Sequence, residues 1–346
     1  MVFSVFDLAD RSVADLLHDR RLLGNAAADE HGVPIVGRRM ELEDLCAIGY
    51  RDLVLGRLLE GHGNALALIS RCGTERQRDA ATAEAAAGAL FGVWNTAPPD
   101  GVHIVAAGNG LVELSGRKTF CSGAGIVARA LITARDANGR SQMLLVPADR
   151  VPLRIDRDSW DPLGMLESDS FAVDFTGVRL DAEALIGGLG DYDAQPWFGA
   201  GAARFVAVQA GGIERLADEL AAFAVRRAFG DDAVQMARLG ECVIAARTAV
   251  HWVRACAEAW AVWDDRPNDE TARLLQTTVD AARAATERAA LDVLERVERA
   301  VGARGLLAPE PFAALVRDLR MYLRQPAPDL AISRVGRDAF ARAAAE

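Results

Sequence analysis

Lysine is almost missing from this 346-residue chain. Lys118 is the only one among 39 basic residues. The arginine bias reads as coding preference, and only the surroundings of Lys118, described below, set it apart. Long apolar runs are also missing. None reaches the roughly 20 residues that a membrane span needs, and the N-terminus MVFSVFDLADRS has no basic stretch of the kind that opens a secretory signal. Positive charge is in deficit: 39 basic against 49 acidic residues give a net charge of −10. Nucleic acid and anionic membranes are therefore poor partners, because a basic footprint dominates binding to both. The five cysteines are widely spaced, with no CxxC pair and no short Cys/His cluster. Neither structural zinc nor a disulfide framework is signalled, and a reducing cytoplasm fits. No two of the five histidines stand at metal-ligand spacing, so no metal is expected. A P-loop, a strand–GxGxxG–helix fingerprint, HExxH and GxSxG are all absent.

What remains is ample apolar content, 51%, with 25% charged residues. That describes a folded chain of two or three domains. The chain divides into three parts. Residues 1–92 read as helical: Ser12 can cap a first helix, residues 41–59 repeat apolar side chains at helical spacing, and Thr74 caps an Ala- and Glu-rich helix over 74–89. Residues 93–190 change to Gly and Pro punctuation with short β-type runs at 102–106, 111–114, 128–134 and 143–146. Residues 170–180 alternate as one half-buried antiparallel strand, and Asp136-Ala137-Asn138-Gly139 marks a hairpin. Residues 191–346 carry three long helices, at 201–229, 231–263 and 269–300, and two shorter ones at 309–323 and 329–344. Gly230 is expected to end the first, and Asp231 and Asn268 or Asp269 to cap the next two. Short connections make this a helical bundle.

One run in the middle part stands out. Residues 114–125 read Leu-Ser-Gly-Arg-Lys-Thr-Phe-Cys-Ser-Gly-Ala-Gly, a strand that stops at a small-residue turn holding an aromatic and a hydroxyl. Read without context, it is a β-hairpin with a core Phe. It also resembles the way the middle β-domain of the acyl-CoA dehydrogenase superfamily approaches its flavin. Further matches follow the family's order: His62-Gly63-Asn64-Ala65-Leu66, Gly73-Thr74-Glu75-Arg76-Gln77, Gly164-Met165, Ser168-Asp169, Arg226-Arg227-Ala228-Phe229-Gly230, Gly302-Ala303-Arg304-Gly305-Leu306 and Arg317-Asp318.

The resemblance implies an α+β fold: an N-terminal helical domain, a middle β-barrel or sandwich, and a C-terminal four-helix bundle. It implies FAD, held by Thr96, Phe120, Ser122, Arg226, Phe229, Gly302 and Gly305, and a homodimer or homotetramer, because the family's flavin site spans subunits. On this basis Phe120 supplies an apolar wall, Ser122 donates hydrogen bonds, and Arg226 meets the pyrophosphate. The protein positions the flavin and the flavin carries the redox chemistry.

The family's catalytic Glu follows Arg-Asp by nine positions. Counting from Arg317, that position is Pro326, and the alternative location before Arg204 is Ala203. Three readings follow. One is an FAD-dependent dehydrogenase acting on an acyl-CoA or related substrate with a relocated base, for which Glu60, His62 and Asp329 are candidates. Another is a flavin monooxygenase of the same fold, of which Trp160 is reminiscent. The third is a homologue that binds flavin without turnover. In ordinary structural terms, Glu60-Gly61-His62 reads as a helix end and Asp329 as an N-cap.

Overall fold

The computed structural model describes residues 39–99, 101–108, 110–324 and 327–344. The expected helix after Ser12 and the position of Pro326 lie outside them. Among the described residues, no helix is long and apolar enough to cross a membrane.

The first part begins with α1 (Arg39–Arg51), α2 (Leu53–Cys72) and α3 (Glu75–Ala86). Apolar spacing predicts one helix over 41–59, but the chain breaks at Asp52. Its extended backbone (φ −156°) and its carboxylate, which accepts from Leu55 N–H, start a new helix. Apolar periodicity runs on through such a cap, so spacing alone cannot reveal it. Glu60 and His62 consequently sit inside α2 rather than at a helix end. Thr74 caps α3 as expected, in a reciprocal capping box with Gln77.

The described residues of the middle part form ten strands: β1 (Phe91–Trp94), β2 (His103–Gly108), β3 (Leu111–Ser115), β4 (Arg117–Cys121), β5 (Arg129–Arg135), β6 (Ser141–Pro147), β7 (Arg154–Asp156), β8 (Phe171–Asp174), β9 (Arg179–Asp181) and β10 (Leu185–Ile186). They form two open sheets instead of a closed barrel. One runs β10-β6-β5-β2-β3-β9, with β1 parallel to β5, and the other runs β4-β8-β7. The hairpin at Asp136 joins β5 to β6. The single strand expected over 170–180 is two strands in different sheets. After Asp174, its carboxylate accepts from Thr176 N–H and turns the chain out of β8. Buried apolar residues continue across that turn, at Phe171, Val173, Phe175 and Val178.

A short α4 (Trp197–Ala200) leads to the bundle: α5 (Ala203–Arg226), α6 (Ala233–Asp265), α7 (Asp269–Gly305), α8 (Phe312–Tyr322) and α9 (Pro328–Ala343). Helix α5 ends at Arg226, before the expected Gly230, and a short 3-10 turn follows. Asp232, not Asp231, caps α6, accepting from Val234 and Gln235 N–H, while Asn268 caps α7. Helix α9 starts at Pro328, so Asp329 lies in its first turn and is not its N-cap.

Helix α5 is the hinge between the two helical parts. A Cβ at Gly211 would lie 1.9 Å from the Cys46 carbonyl oxygen, so only glycine lets α1 and α5 approach this closely. The contact brings Glu41 of α1 to Arg204 of α5, in a buried ion pair at 2.6 Å.

Candidate functional site

A cavity of about 760 Å³ opens where α2, the β part and the bundle meet. Its β wall is built from the run 114–125 and the loop before β8. Phe120, one residue before the end of β4, is in a left-handed conformation (φ 55°), and it lines the cavity 54% exposed. Backbone held there without glycine stores strain, which surrounding structure must hold in place. Trp160 supports the ring edge-on, centroids 5.9 Å apart, and donates from Nε1 to the Leu166 carbonyl. Beside it runs a chain of three buried hydroxyls: Ser122 to Ser170 at 2.7 Å and Ser170 to Ser168 at 2.8 Å. Ser122 is fixed further by Trp94 Nε1, which donates to its carbonyl at 2.9 Å.

Lys118 holds the edge of this wall. Its buried ammonium donates to the Asn95 carbonyl and to Thr133 Oγ1, each at 2.9 Å, and burial pushes its pKa down to about 8. That tethers the segment carrying Thr96, whose own carbonyl accepts from Thr119 N–H.

The helical wall is different in kind. Arg57, Glu60, Asn64 and Arg71 recur at helical spacing on the face of α2 that lines the cavity. Arg57 pairs with Glu60 at 2.6 Å, Asn64 donates to Glu60 at 2.7 Å, and Arg204 donates to Asn64 at 2.9 Å. With Glu41 this makes one buried relay from α2 to α1. Opposite, on α7, Asp280 is held by Arg334 of α9 and by Arg283 at 3.8 Å. Among the described residues, two carboxylates line the cavity, Glu60 and Asp280, and both are committed to guanidinium groups. Tyr322 also lines the cavity; its hydroxyl is buried without a hydrogen-bond partner, and burial raises its pKa.

The structure brings Thr96, Phe120, Ser122 and Glu60 together at this cavity. His62 is not among its lining residues: it is fully buried, its Nδ1 accepts from Phe91 N–H at 3.0 Å, and its ring packs edge-on against Phe91. Asp329 is exposed beside Ala327 and Leu330, which do line it. The remaining sequence candidates lie apart. Arg226, at the end of α5, is ion-paired with Glu310 at 2.8 Å, and Phe229 packs on Phe223. Gly302 interrupts α7 (φ 59°) facing open space, while Gly305 is buried against Val301.

Two motifs distant in sequence do meet. Gly164 touches Arg317, where a Cβ would fall 2.2 Å from the carbonyl oxygen, and Met165 N–H donates to Asp318 at 2.6 Å. Sequence reasoning missed Arg57, Asn64, Arg71, Ser170 and Tyr322. The α2 residues could have been found from their common helical face. Ser170 and Tyr322 depend on contacts no local pattern encodes.

No protein-family model matches the chain. Among curated proteins, it is 27% identical over 302 residues to YdbM of Bacillus subtilis (strain 168), provisionally named an acyl-CoA dehydrogenase. That match covers 83% of this chain and 75% of YdbM. Among solved structures, the dibenzothiophene monooxygenase TdsC of Paenibacillus sp. A11-2 superposes with a TM-score of 0.82 at 22% identity, covering 94% of this chain and 88% of TdsC. The chain has the acyl-CoA dehydrogenase-like fold. The methanesulfinate monooxygenase MsuC of Pseudomonas fluorescens superposes with a TM-score of 0.81 at 21% identity, covering 98% and 95% of the two chains. TdsC has been solved with FMN and with indole. Within this fold, the open pair of sheets replaces the closed barrel that was one of the two expectations for the middle part.

Proposed function

We propose that this chain is a flavin-dependent monooxygenase working with reduced FMN, and that Phe120, Ser122 and Thr96 hold the isoalloxazine. The observation that carries this reading is the contrast between the two cavity walls. Phe120 and Trp160 offer an apolar surface beside hydroxyls that can donate, while both lining carboxylates are neutralised by arginine. A ring system with polar atoms on one edge fits that donor set and the cavity's volume. Acyl-CoA dehydrogenation needs a carboxylate free to take an α-proton, and a missing base costs roughly 10²–10⁴-fold. Oxygen transfer from a reduced flavin needs no such base.

When bound, the flavin supplies the electrons that reduce oxygen, one atom going to substrate and the other to water. The chain's own residues do the rest. Phe120 and Trp160 exclude water from one face. The Ser122–Ser170–Ser168 chain can donate a hydrogen bond from Ser122 while keeping its own oxygens satisfied. Tyr322 offers a proton donor from the helical wall. FMN is favoured over the FAD implied by the sequence resemblance, because TdsC, with the same fold, binds FMN and because Gly302 and Gly305 are then not required at an adenine. Arg226 is remote from the cavity of its own chain and paired with Glu310; its role at the flavin phosphate of a second copy follows from the sequence resemblance, in which the flavin site spans subunits.

The test uses indole as probe. Protein mixed with reduced FMN and then oxygen should yield oxygenated indole. Bleaching of the FMN-loaded protein by a panel of acyl-CoA esters under anaerobic conditions, with no oxygenated indole, would overturn the reading.

A further inference from the structure

Among the described residues, six arginines line the cavity, and five of them have carboxylate partners: Arg57 with Glu60, Arg204 with Glu41, Arg283 and Arg334 with Asp280, and Arg324 with Glu287. Arg71 is the exception. Among the described residues its guanidinium has no ion pair and no hydrogen bond, and its Nη1 is buried without a partner. It lies instead over the ring of Trp197, its Cζ 4.8 Å from the centroid, and Trp197 in turn packs on Trp260 at 5.9 Å. A half-buried cation resting on aromatic faces keeps its charge while shedding water, and desolvation without a counter-ion is unfavourable. An arginine left so in a cavity where every neighbour is neutralised is an open anion receptor.

Its position along α2 is informative. The flavin wall meets α2 near Leu58, since a Cβ at Gly123 would lie 3.0 Å from Leu58 Cδ2. Arg71 lies near the other end, roughly 20 Å along the helix at 1.5 Å per residue, and the long side chains at both ends shorten the span. The cavity is a trough with a reactive end and a cationic, Trp-lined end.

We infer that Arg71, stacked on Trp197, binds a carboxylate of the substrate, so that the substrate is an apolar acid whose reacting atom and acid group lie at opposite ends of the cavity. This rests on the monooxygenase reading for the reactive end, but recognition of the acid does not need flavin. A carboxylate would give the guanidinium the charge-assisted, fork-shaped pairing that the chain itself leaves unmade.

The test compares 4-phenylbutanoate with its uncharged isostere 4-phenylbutanamide, titrated into the flavin-free protein and followed by the fluorescence of the tryptophans at this end. The wild-type protein should bind the carboxylate about tenfold or more tighter than the amide, from one charge-assisted hydrogen-bonded pair. Arg71→Met should erase that preference, and Arg71→Lys should keep part of it. An absent preference in the wild-type protein, or one unchanged in Arg71→Met, overturns the inference; the wild-type comparison decides even if a variant fails to fold. FMN affinity, measured separately by flavin fluorescence, should be unchanged in Arg71→Met. Loss of FMN binding by the wild-type protein with the carboxylate preference intact would sink the flavin reading and leave this one standing.

Discussion

The two walls of the cavity solve the problem of burying polar groups in opposite ways. On the β side the lining groups are neutral and tied to near neighbours in space: Ser122, Ser170 and Ser168 pass one hydrogen-bond chain, and Lys118 behind them is spent on a backbone carbonyl and a threonine. On the helical side most of the groups are charged and paired, some within one helix, as Arg57 with Glu60, and some across distant elements, as Glu41 of α1 with Arg204 of α5. The difference teaches where function and stability separate. Ion pairs on the helical wall hold elements together and leave little charge free to act. The β wall holds a strained aromatic and unspent donor capacity, which is what a bound ring needs.

The sharpest way to break this comparison is to cut the helical relay. Arg204→Met removes a buried guanidinium that pairs with Glu41, and breaking a buried ion pair costs about 3–5 kcal/mol. Urea denaturation should show a loss of that size, with Arg204→Met lowering the midpoint far more than any serine substitution on the β wall.

Next comes the seam between the walls. Gly164→Ala would force a Cβ to 2.2 Å from the Arg317 carbonyl oxygen. Overpacking of this kind costs about 1–3 kcal/mol, and thermal unfolding should register it. Because Met165 N–H donates to Asp318 across the same seam, flavin affinity should fall as well.

A smaller change should separate function from stability. Phe120→Gly removes the ring wall but suits the positive φ. Flavin binding should weaken by roughly tenfold, a loss in line with one aromatic contact, while the unfolding midpoint stays close to that of the wild-type protein.

The last effect is one of pH dependence and concerns Lys118. Burial lowers its pKa from 10.5 to about 8, so the folded chain releases that proton at lower pH than the unfolded chain does. Its ammonium therefore opposes folding below pH 8, and its contribution to stability rises as the pH climbs from 8 toward 10.5. Urea midpoints at several pH values should show Lys118→Met with a flatter slope over that window. An unchanged slope would mean that Lys118 does not titrate there.

The sequence made much of this visible, for identifiable reasons. Helices such as α7 were legible because Asn268 and a long run free of proline mark them. The cavity-facing run was legible because a strand that leads into Phe120, Ser122 and Gly123 is locally encoded. The break at Asp52 was not, since the apolar spacing of α1 continues into α2. Neither was the separation of β8 from β9, because buried apolar residues continue across the turn at Asp174. The commitment of Glu60 to Arg57 and of His62 to the Phe91 amide depends on burial, which residue type alone does not reveal. The isolation of Arg71 emerges only when every other arginine in the cavity is seen with its partner.

The central claim is that the wall carrying Phe120 and Ser122 binds FMN. Titration of the purified chain with FMN, followed by quenching of flavin fluorescence, tests it most directly. Saturable quenching, weakened in Phe120→Gly, is the result predicted. Fluorescence that stays unquenched at any flavin concentration, or identical affinity in the two proteins, would contradict it.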